Sequence, residues 1–327
     1  MATRKTQITP STVYRYVKNE DRHDVIRAGA HTIRRQLKKI PGTADPSRQL
    51  SGRLFGARTG ISNTVQGELC RRIAAAQSTV RHPDVDDELV AELKRQKYLY
   101  LESHFGERTL APIREQFNDL IEDDTASVVR GRHDDLVTSR VIQHPTSRIA
   151  ELEDLLDSTI LGITERFFGA HFKPAEIRCM RNYHVPDDIV QESESFANYW
   201  HCDQHPVDAI KIFITLHDTD ERHGPLHVLR GDESKRISKQ RFLRHKHGVP
   251  GKYVEENADV DTFTGPAGSV GFAKTNELLH RAGVPDEGEH RDMIFIYGYA
   301  TDQPLSESWF DDIDPTFTKD QTPAFGG

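Results

Sequence analysis

Three residues of metal-binding type occur at a spacing that could bring them onto one ion. His201 and Asp203 flank Cys202 in a run for which we predict a strand, Phe196–Cys202. Side chains two positions apart on a strand point to the same face, so the imidazole and the carboxylate could converge while Cys202 faces away. His280 is the candidate for a third ligand. Two histidines and one carboxylate leave coordination positions open, and they are the ligand set of non-haem iron(II) oxygenases.

The same histidines also have a structural interpretation. A single histidine on a strand often serves packing alone, and a chain with 17 histidines contains His-x-Asp patterns by chance. Further histidines could bind metal, although we expect most of them in loops or facing solvent: His205, His217, His223, His227, His245 and His247.

Arg291 follows His280 by eleven residues, and the turn-forming run Val284–Gly288 lies between them. This spacing predicts a hairpin that places His280 and Arg291 on neighbouring strands facing one interior. A buried guanidinium needs an anionic partner. Its planar fork matches a carboxylate in bidentate fashion, which predicts that Arg291 holds the distal carboxylate of 2-oxoglutarate.

The elements that must position these residues can be read from periodicity and turn signals. Helices are predicted first and short strands afterwards, which indicates an α+β chain with a sandwich or barrel. The predicted helices are Asp87–Arg95, Glu107–Glu122 and Ser147–Phe168. The predicted strands are Lys97–Leu101, Ile177–Tyr183, Phe196–Cys202, Ala209–His217, Gly224–Leu229, Ser269–Ala273 and Met293–Tyr299.

The charge is distributed unevenly along the chain. Residues 1–80 carry 15 Lys and Arg against 5 Asp and Glu, whereas the remainder carries 28 against 46. The basic segment could bind nucleic acid, but it has few aromatics for base stacking and no nucleic-acid motif. We therefore favour a helical extension that docks on the acidic remainder of its own chain or of a second subunit, which would give a homo-oligomer.

Three regions follow from these features: a basic helical N-terminal extension over residues 1–85, a catalytic domain over 86–310 and a C-terminal tail over 311–327. The sequence contains no run of about 18 apolar residues, so we predict no membrane-spanning helix. We also find no secretory signal. Three dispersed cysteines argue against a disulfide framework and fit the cytoplasm.

The run IFITLHDTDERHGPLHVLRGDESK (Ile212–Lys235) resembles a segment of the phytanoyl-CoA dioxygenase family, which depends on iron(II) and 2-oxoglutarate. WHCD precedes this run, and GPAGSVGF, LLHRAG and HR follow it in the order and spacing of that family. The resemblance covers about residues 87–300. It implies a double-stranded β-helix (jelly-roll) core with flanking helices, an iron triad of His201, Asp203 and His280, and Arg291 as the 2-oxoglutarate anchor.

Two positions depart from the family pattern. Ala282 stands where family members often carry a Ser or Thr that helps bind the co-substrate carboxylate, and Gly231–Glu233 replaces Gly-Ser-His. Asn182 and Tyr183, on an earlier core strand, are our candidates for sharing that carboxylate. Asn198, three residues before His201, is a further candidate for the pocket.

These observations predict an enzyme that uses Fe(2+), 2-oxoglutarate and O2 to oxidise a small organic substrate, with release of succinate and CO2. Because Asp203 is present, hydroxylation, desaturation or a related oxidation is favoured over halogenation, for which related enzymes replace the carboxylate. The alternatives are a cupin-type metal- or ligand-binding β-barrel without turnover, and a partner-binding scaffold led by the basic segment. A buried Arg291 discriminates among them, because a plain metal-binding barrel has no need of it.

Overall fold

The computed structural model describes residues 85–301, apart from 193–194, 204–208, 239–253, 255 and 257, together with 304–306, 309 and 313. The predicted N-terminal extension lies outside the described residues except for Val85, and the predicted tail lies outside them except for Ile313. In the described part of the chain, no helix is both long and apolar enough to span a membrane.

Seven strands form an antiparallel sheet in the order β1-β8-β5-β10-β4-β3-β2. Its strands are β1 (Tyr98–Leu101), β2 (Ser127–His133), β3 (Leu136–Ile142), β4 (His171–Tyr183), β5 (Ala209–Thr215), β8 (Val270–Ala273) and β10 (His290–Thr301). The long strand β10 is central and pairs with both β4 and β5. A second sheet has three strands in the order β7-β6-β9: β6 (Leu226–Leu229), β7 (Val260–Thr262) and β9 (His280–Ala282).

The two sheets pack against each other through apolar side chains. Met180, Phe213 and Phe295 of the large sheet form one buried cluster with Leu226 and Val228 of the small sheet. We call the face of the large sheet that carries this cluster the inner face. The opposite face carries a larger apolar cluster that includes Ile177, Ile212 and Ile294, so this sheet is buried on both sides.

Helices cover the outer face of the large sheet. They are α1 (Asp87–Gln96), α2 (Glu107–Ile121), α3 (Pro145–Arg148) and α4 (Ser158–Phe168), with a 3-10 helix at Ala150–Leu155. The apolar residues of α2 recur at helical spacing and are all buried: Leu110, Ile113, Phe117 and Ile121. Two further helices, α5 (Asp187–Glu192) and α6 (Gly231–Ser238), and a 3-10 turn at Glu221–His223 lie in the connections.

Most predicted elements are present, but the helix at Ser147–Phe168 and the strand at Phe196–Cys202 differ, and one hairpin was not predicted. The predicted helix Ser147–Phe168 is interrupted, because the 3-10 helix ends at Leu155 and Asp157 begins a new helix by accepting a hydrogen bond from the backbone of Ile160 at 2.8 Å. The sequence analysis did not predict the β2–β3 hairpin. This hairpin extends the large sheet beyond β4 through the pairing of β3 with β4.

Gly268 offers a test of the packing between the large sheet and the segment after β1. Its φ is +79°, and a Cβ there would lie 2.0 Å from the carbonyl oxygen of Phe105. We expect Gly268→Ala to lower the free energy of unfolding by about 3 kcal/mol, from the left-handed backbone and the clash together. Gly288→Ala is the matched control, because Gly288 has a φ of +83° with nothing within 4 Å.

Gly288→Ala should lower the free energy of unfolding by only about 1 kcal/mol, which is the cost of the left-handed backbone conformation alone. Chemical denaturation of both variants measures the difference. Equal losses would mean that the Phe105 contact adds nothing to the strain.

Candidate metal centre

The segment that carries His201 and Asp203 is not a regular strand, so the prediction of a strand at Phe196–Cys202 is wrong. Phe196 and Ala197 have φ values of +36° and +66°, which break an extended chain. Beyond this kink, the segment is attached to β9 by a single bridge between His201 and His280, with backbone hydrogen bonds of 3.0 and 2.9 Å. Cys202 is buried in a cluster with Trp200.

The structure nevertheless brings together the three predicted ligands. Ligand atoms of His201, Asp203 and His280 lie within 4.8 Å of one another, and all three residues are buried. The Nε2 atoms of His201 and His280 lie 3.6 and 3.8 Å from the two oxygens of the Asp203 carboxylate. These distances are too long for hydrogen bonds, so the imidazoles are not paired with the carboxylate.

Hydrogen bonding fixes which ring nitrogens are available. Nδ1 of His201 donates to the carbonyl of Tyr199 at 2.6 Å, and Nδ1 of His280 donates to the carbonyl of Leu278 at 2.9 Å. A carbonyl accepts only, so Nδ1 of each ring carries a proton, and Nε2 is the nitrogen that faces Asp203. Metal-ligating histidines are oriented in the same way, by donating their second ring N–H to a fixed acceptor.

Burial also favours the ligating form of His280. Desolvation, followed by the neighbouring His201, lowers the pKa of His280 to about 3, so the ring is neutral at pH 7 and its lone pair is free. The residues therefore fit a metal ion that takes two imidazoles and one carboxylate.

Lys211 on β5 is an additional contact of this group that the sequence analysis did not find. Its ammonium donates to Oδ2 of Asp203 at 2.7 Å, which fixes the rotation of the carboxylate. No local pattern signals this contact, because eight residues separate the pair.

His280 and Arg291 do not lie on neighbouring strands of one hairpin, contrary to the prediction. His280 lies on β9 of the small sheet, whereas Arg291 lies on β10 of the large sheet. The turn between them therefore carries the chain from one sheet to the other.

Arg291 is buried, and two of its guanidinium nitrogens lack a partner among the described residues. It is 2% exposed, and its Nε and Nη1 atoms have no hydrogen-bond partner among the described residues. Desolvation lowers the pKa of Arg291 to about 10, so the group is still charged at pH 7. A buried, unpaired guanidinium is costly unless an anion binds it.

Two more unpaired polar groups share a row with Arg291 across three strands. Arg291 is in register with Asn182 on β4, and Asn182 is in register with Ser139 on β3. The Asn182 Oδ1 and Ser139 Oγ atoms are buried as well, and neither has a hydrogen-bond partner in the part of the chain that the structure describes. Ser139 was missed by the sequence analysis, because no local signal predicted the pairing of its strand with β4. We call these three residues the Arg291 row.

The other two predicted pocket residues are used elsewhere. The hydroxyl of Tyr183 donates to Glu122 at 2.7 Å, and alternation along β4 places Tyr183 on the face opposite Asn182. Asn198 closes a turn, in which its Oδ1 accepts from the backbone of Ser195 at 2.8 Å, while its Nδ2 is buried without a partner. The structure thus brings Asn182, but not Tyr183, to Arg291.

A second cluster of potential ligands lies on the other face: His217, His290 and Asp292. Nδ1 of His217 donates to the Asp218 carbonyl at 2.7 Å, and its Nε2 accepts from the backbone of Asp292 at 3.0 Å. Arg181 holds both oxygens of Asp292 at 2.6 and 2.7 Å. Because both nitrogens of His217 and both oxygens of Asp292 are engaged, this cluster is a structural network rather than a metal site.

The remaining candidate histidines do not join the triad. His223 pairs with Asp220 at 2.8 Å. Desolvation, with Arg281 and Arg291 nearby, lowers the pKa of His227 to about 3. His205, His245 and His247 lie outside the described residues.

The Arg181–Asp292 pair predicts a pH dependence of stability. Desolvation alone would raise the pKa of Asp292, but hydrogen bonds from Arg181 and His290 outweigh it and lower that pKa. A lowered pKa means that the pair stabilises the fold above the ordinary carboxyl pKa of about 3.9 and stops doing so as pH falls through the folded-state value. Asp292→Asn should therefore lower the free energy of unfolding by about 3 kcal/mol at pH 7, and by progressively less as the pH falls.

Denaturant unfolding across pH measures this difference. Asp220→Asn is the control, because Asp220 pairs with the exposed Arg222 and should change stability little at any pH. A cost of Asp292→Asn that is the same at pH 7 and at pH 2 would contradict the assignment.

No protein-family model and no curated protein matches the chain. Solved structures do match. The non-haem α-ketoglutarate dependent epimerase SnoN from nogalamycin biosynthesis superposes with a TM-score of 0.52 and 15% identity over 65% of this chain and 82% of that one. EctD from S. alaskensis, crystallised with 2-oxoglutarate and 5-hydroxyectoine, gives a TM-score of 0.53 and 17% identity over 72% and 83%.

SnoN in complex with Fe3+, α-ketoglutarate and nogalamycin RO gives a TM-score of 0.51 and 16% identity over 74% of this chain and 91% of that one. At these identities the likeness establishes a shared fold, which is mixed helix and antiparallel sheet. The solved structures with that fold include non-haem iron enzymes that depend on 2-oxoglutarate.

Proposed function

We propose that this chain is an iron(II)- and 2-oxoglutarate-dependent oxygenase that oxidises a small organic substrate with release of succinate and CO2. Hydroxylation is the oxidation that we propose. The observation that carries the proposal is the combination of two buried groups. One is the triad of His201, Asp203 and His280, in which the Nε2 atoms of the two histidines face the Asp203 carboxylate. The other is a buried Arg291 without a counter-charge among the described residues.

His201, Asp203 and His280 would hold the iron. Bound iron(II) would supply the activation of O2 that is coupled to oxidative decarboxylation of 2-oxoglutarate. The chain's own contribution is geometric. Backbone carbonyls keep the two rings in their ligating tautomers, and Lys211 holds Asp203 in one orientation. Burial of all three residues keeps water away from the reacting centre.

The Arg291 row would hold the distal carboxylate of 2-oxoglutarate. The guanidinium offers the unused N–H donors of Nε and Nη1, and the Ser139 hydroxyl can donate a further hydrogen bond. Asn182 would donate through Nδ2 after rotation of its amide, because the nitrogen and oxygen of an amide are assigned from their contacts. Ser139 would thereby take the place of the hydroxyl that Ala282 lacks.

A cupin-type metal-binding barrel without turnover is the weaker alternative. Such a protein would need the triad but not Arg291, whose burial without a partner would then be a pure cost. As part of the oxygenase proposal, we assign the two facing sheets to the double-stranded β-helix (jelly-roll) class, as an open variant. We also propose that the chain is related to the phytanoyl-CoA dioxygenase-like enzymes. A cytoplasmic location and an oligomer formed through residues 1–85 stay predictions.

The test is conversion of 2-oxoglutarate to succinate by the full chain, measured by mass spectrometry with and without iron(II). We expect succinate in amounts that depend on iron(II), on 2-oxoglutarate and on O2, even before the substrate is known, because uncoupled turnover needs only the triad and the Arg291 row. One iron bound per chain, with no succinate formed in air, would favour the metal-binding barrel.

A further inference from the structure

The Asp203 carboxylate presents both of its oxygens to the proposed metal position. Oδ1 lies 3.6 Å from Nε2 of His201, and Oδ2 lies 3.8 Å from Nε2 of His280. A carboxylate can bind an ion through one oxygen or through both. The difference matters to the proposed function, because binding through both oxygens would fill one of the coordination positions that the triad leaves open.

The Lys211 ammonium engages one of these two oxygens. It donates to Oδ2 at 2.7 Å, which is the length of a charge-assisted hydrogen bond. The exposed fractions of the two side chains are 17% for Lys211 and 8% for Asp203, so water screens the pair weakly. The contact therefore reduces the capacity of Oδ2 to bind a metal ion.

The fold holds Lys211 and Asp203 in place from two sides. Lys211 lies on β5 in register with Ala273 of β8, and its ammonium lies 5.3 Å from the centre of the Phe295 ring, which is within the range of a cation–π contact. The backbone N–H of Asp203 donates to the carbonyl of Thr275 at 2.8 Å. The contact between Lys211 and Asp203 is therefore built into the folded site.

A metal ion bound to Oδ2 would lie close to the ammonium. The hydrogen bond of 2.7 Å and a metal–oxygen distance of about 2.1 Å place the two cations less than about 5 Å apart. Repulsion between a divalent ion and an ammonium at that separation corresponds to roughly tenfold in affinity even at the dielectric constant of bulk water. The ammonium therefore disfavours binding through both oxygens more than it disfavours binding through Oδ1 alone.

We propose that Lys211 is a positioning residue that keeps Asp203 a one-oxygen ligand of the metal, bound through Oδ1. The assignment rests on the proposed function. It goes beyond the orientation of the carboxylate, because it sets how many positions stay open at the metal and lowers the affinity for the metal. With Oδ2 held by Lys211, 2-oxoglutarate and O2 together have the positions that they need.

Manganese(II) bound to the full chain without 2-oxoglutarate tests the assignment. The relaxation of water protons counts the water molecules that are bound to this ion, which suits nitrogen and oxygen ligands. We expect about three bound waters in the unaltered protein, because the triad fills half of an octahedron. Lys211→Met removes the charge but keeps a long side chain beside Phe295, and we expect about two bound waters because Asp203 then binds through both oxygens.

The affinity for manganese(II) should change in the same variant. We expect Lys211→Met to bind the ion about tenfold more tightly, since the repulsion is gone. A residue that only supported the fold would weaken metal binding when replaced, so the sign separates the two roles. Iron-dependent succinate formation should nevertheless fall in this variant, because one coordination position is lost.

Two further variants control for the charge and for the fold. Lys211→Arg keeps a cation, so it should retain about three bound waters and the lower affinity. Lys94→Met is the matched control, because Lys94 is exposed on α1, and it should change neither quantity. Circular dichroism monitors the fold, and Lys211→Gln, which is also uncharged, replaces Lys211→Met if that variant does not fold.

Two outcomes would overturn the role of Lys211: an unchanged number of bound waters in the uncharged variant, or an affinity for manganese(II) no higher than that of the unaltered protein. Either result leaves the triad intact as long as the unaltered protein binds the ion. If the unaltered protein binds no manganese(II) or iron(II), the triad assignment fails, and with it the proposed function.

Discussion

Replacing His280 by alanine is expected to abolish iron binding and succinate formation while the fold persists. The imidazole is one of three proposed ligands, and its loss should weaken iron(II) binding by more than about a hundredfold, the upper end of the effect of losing an outer partner. The sheets do not depend on the ion, because apolar clusters on both faces of the large sheet hold them together. Alanine at His201 or Asp203 should have the same result.

Iron titration and circular dichroism of each variant make the measurement. His217→Ala is the control, because His217 belongs to the second His/Asp cluster, whose nitrogens are already engaged. It should bind one iron per chain as the unaltered protein does. Wild-type stoichiometry in all three triad variants would remove the triad assignment.

Arg291→Ala is expected to raise the concentration of 2-oxoglutarate required for succinate formation far more than that of iron(II). Loss of a bidentate charge-assisted pair costs about 2–5 kcal/mol, which is roughly 30-fold or more in affinity. Arg291→Lys should recover only part of this loss, because an ammonium is a point charge without the planar fork. Ser139→Ala should have a smaller effect in the same direction, since it removes one neutral donor.

The dependence of succinate release on each co-substrate separates these effects. Arg222→Ala serves as the control for loss of a cation, because Arg222 is exposed and pairs with Asp220. Unchanged 2-oxoglutarate dependence in both Arg291 variants would remove the anchor and leave the metal-binding barrel as the better interpretation.

The elements that were predictable from the sequence are those with strong local patterns. Helix α2 has an apolar face at helical spacing, and β10 is a long apolar run that is buried on both sides. The grouping of His201, Asp203 and His280 was also predictable, because chemical type restricts the candidates more than conformation does. A buried Arg291 followed from the same reasoning.

What could not be predicted depends on pairing between distant segments. The turn after His280 was expected to join two strands of one sheet, yet β9 pairs with β6 and β10 pairs with β4 and β5. A turn signal says that the chain reverses but not which partner each strand then finds. Ser139 contributes to the Arg291 row only through the pairing of β3 with β4, which has no local signature.

The irregular segment before His201 was missed for a different reason. Its residues have strand-like character, but Phe196 and Ala197 adopt positive φ values that non-glycine residues rarely take. Such conformations persist when surrounding contacts impose them, and they concentrate at functional sites. Here the backbone bond from Ala282 to the carbonyl of Ala197 and the bridge of His201 to His280 supply those contacts.

The bridge between His201 and His280 also sets when, during synthesis of the chain, the proposed ligands come together. A ribosome releases His201 and Asp203 well before His280, since β5, β6, β7 and β8 lie between them. Until β9 emerges and pairs with β6, the nascent chain presents only an imidazole and a carboxylate on an unsupported segment. Closing such a long loop is among the slower steps of folding. In the proposed function, iron would therefore find its complete ligand set only after β9 has paired with β6.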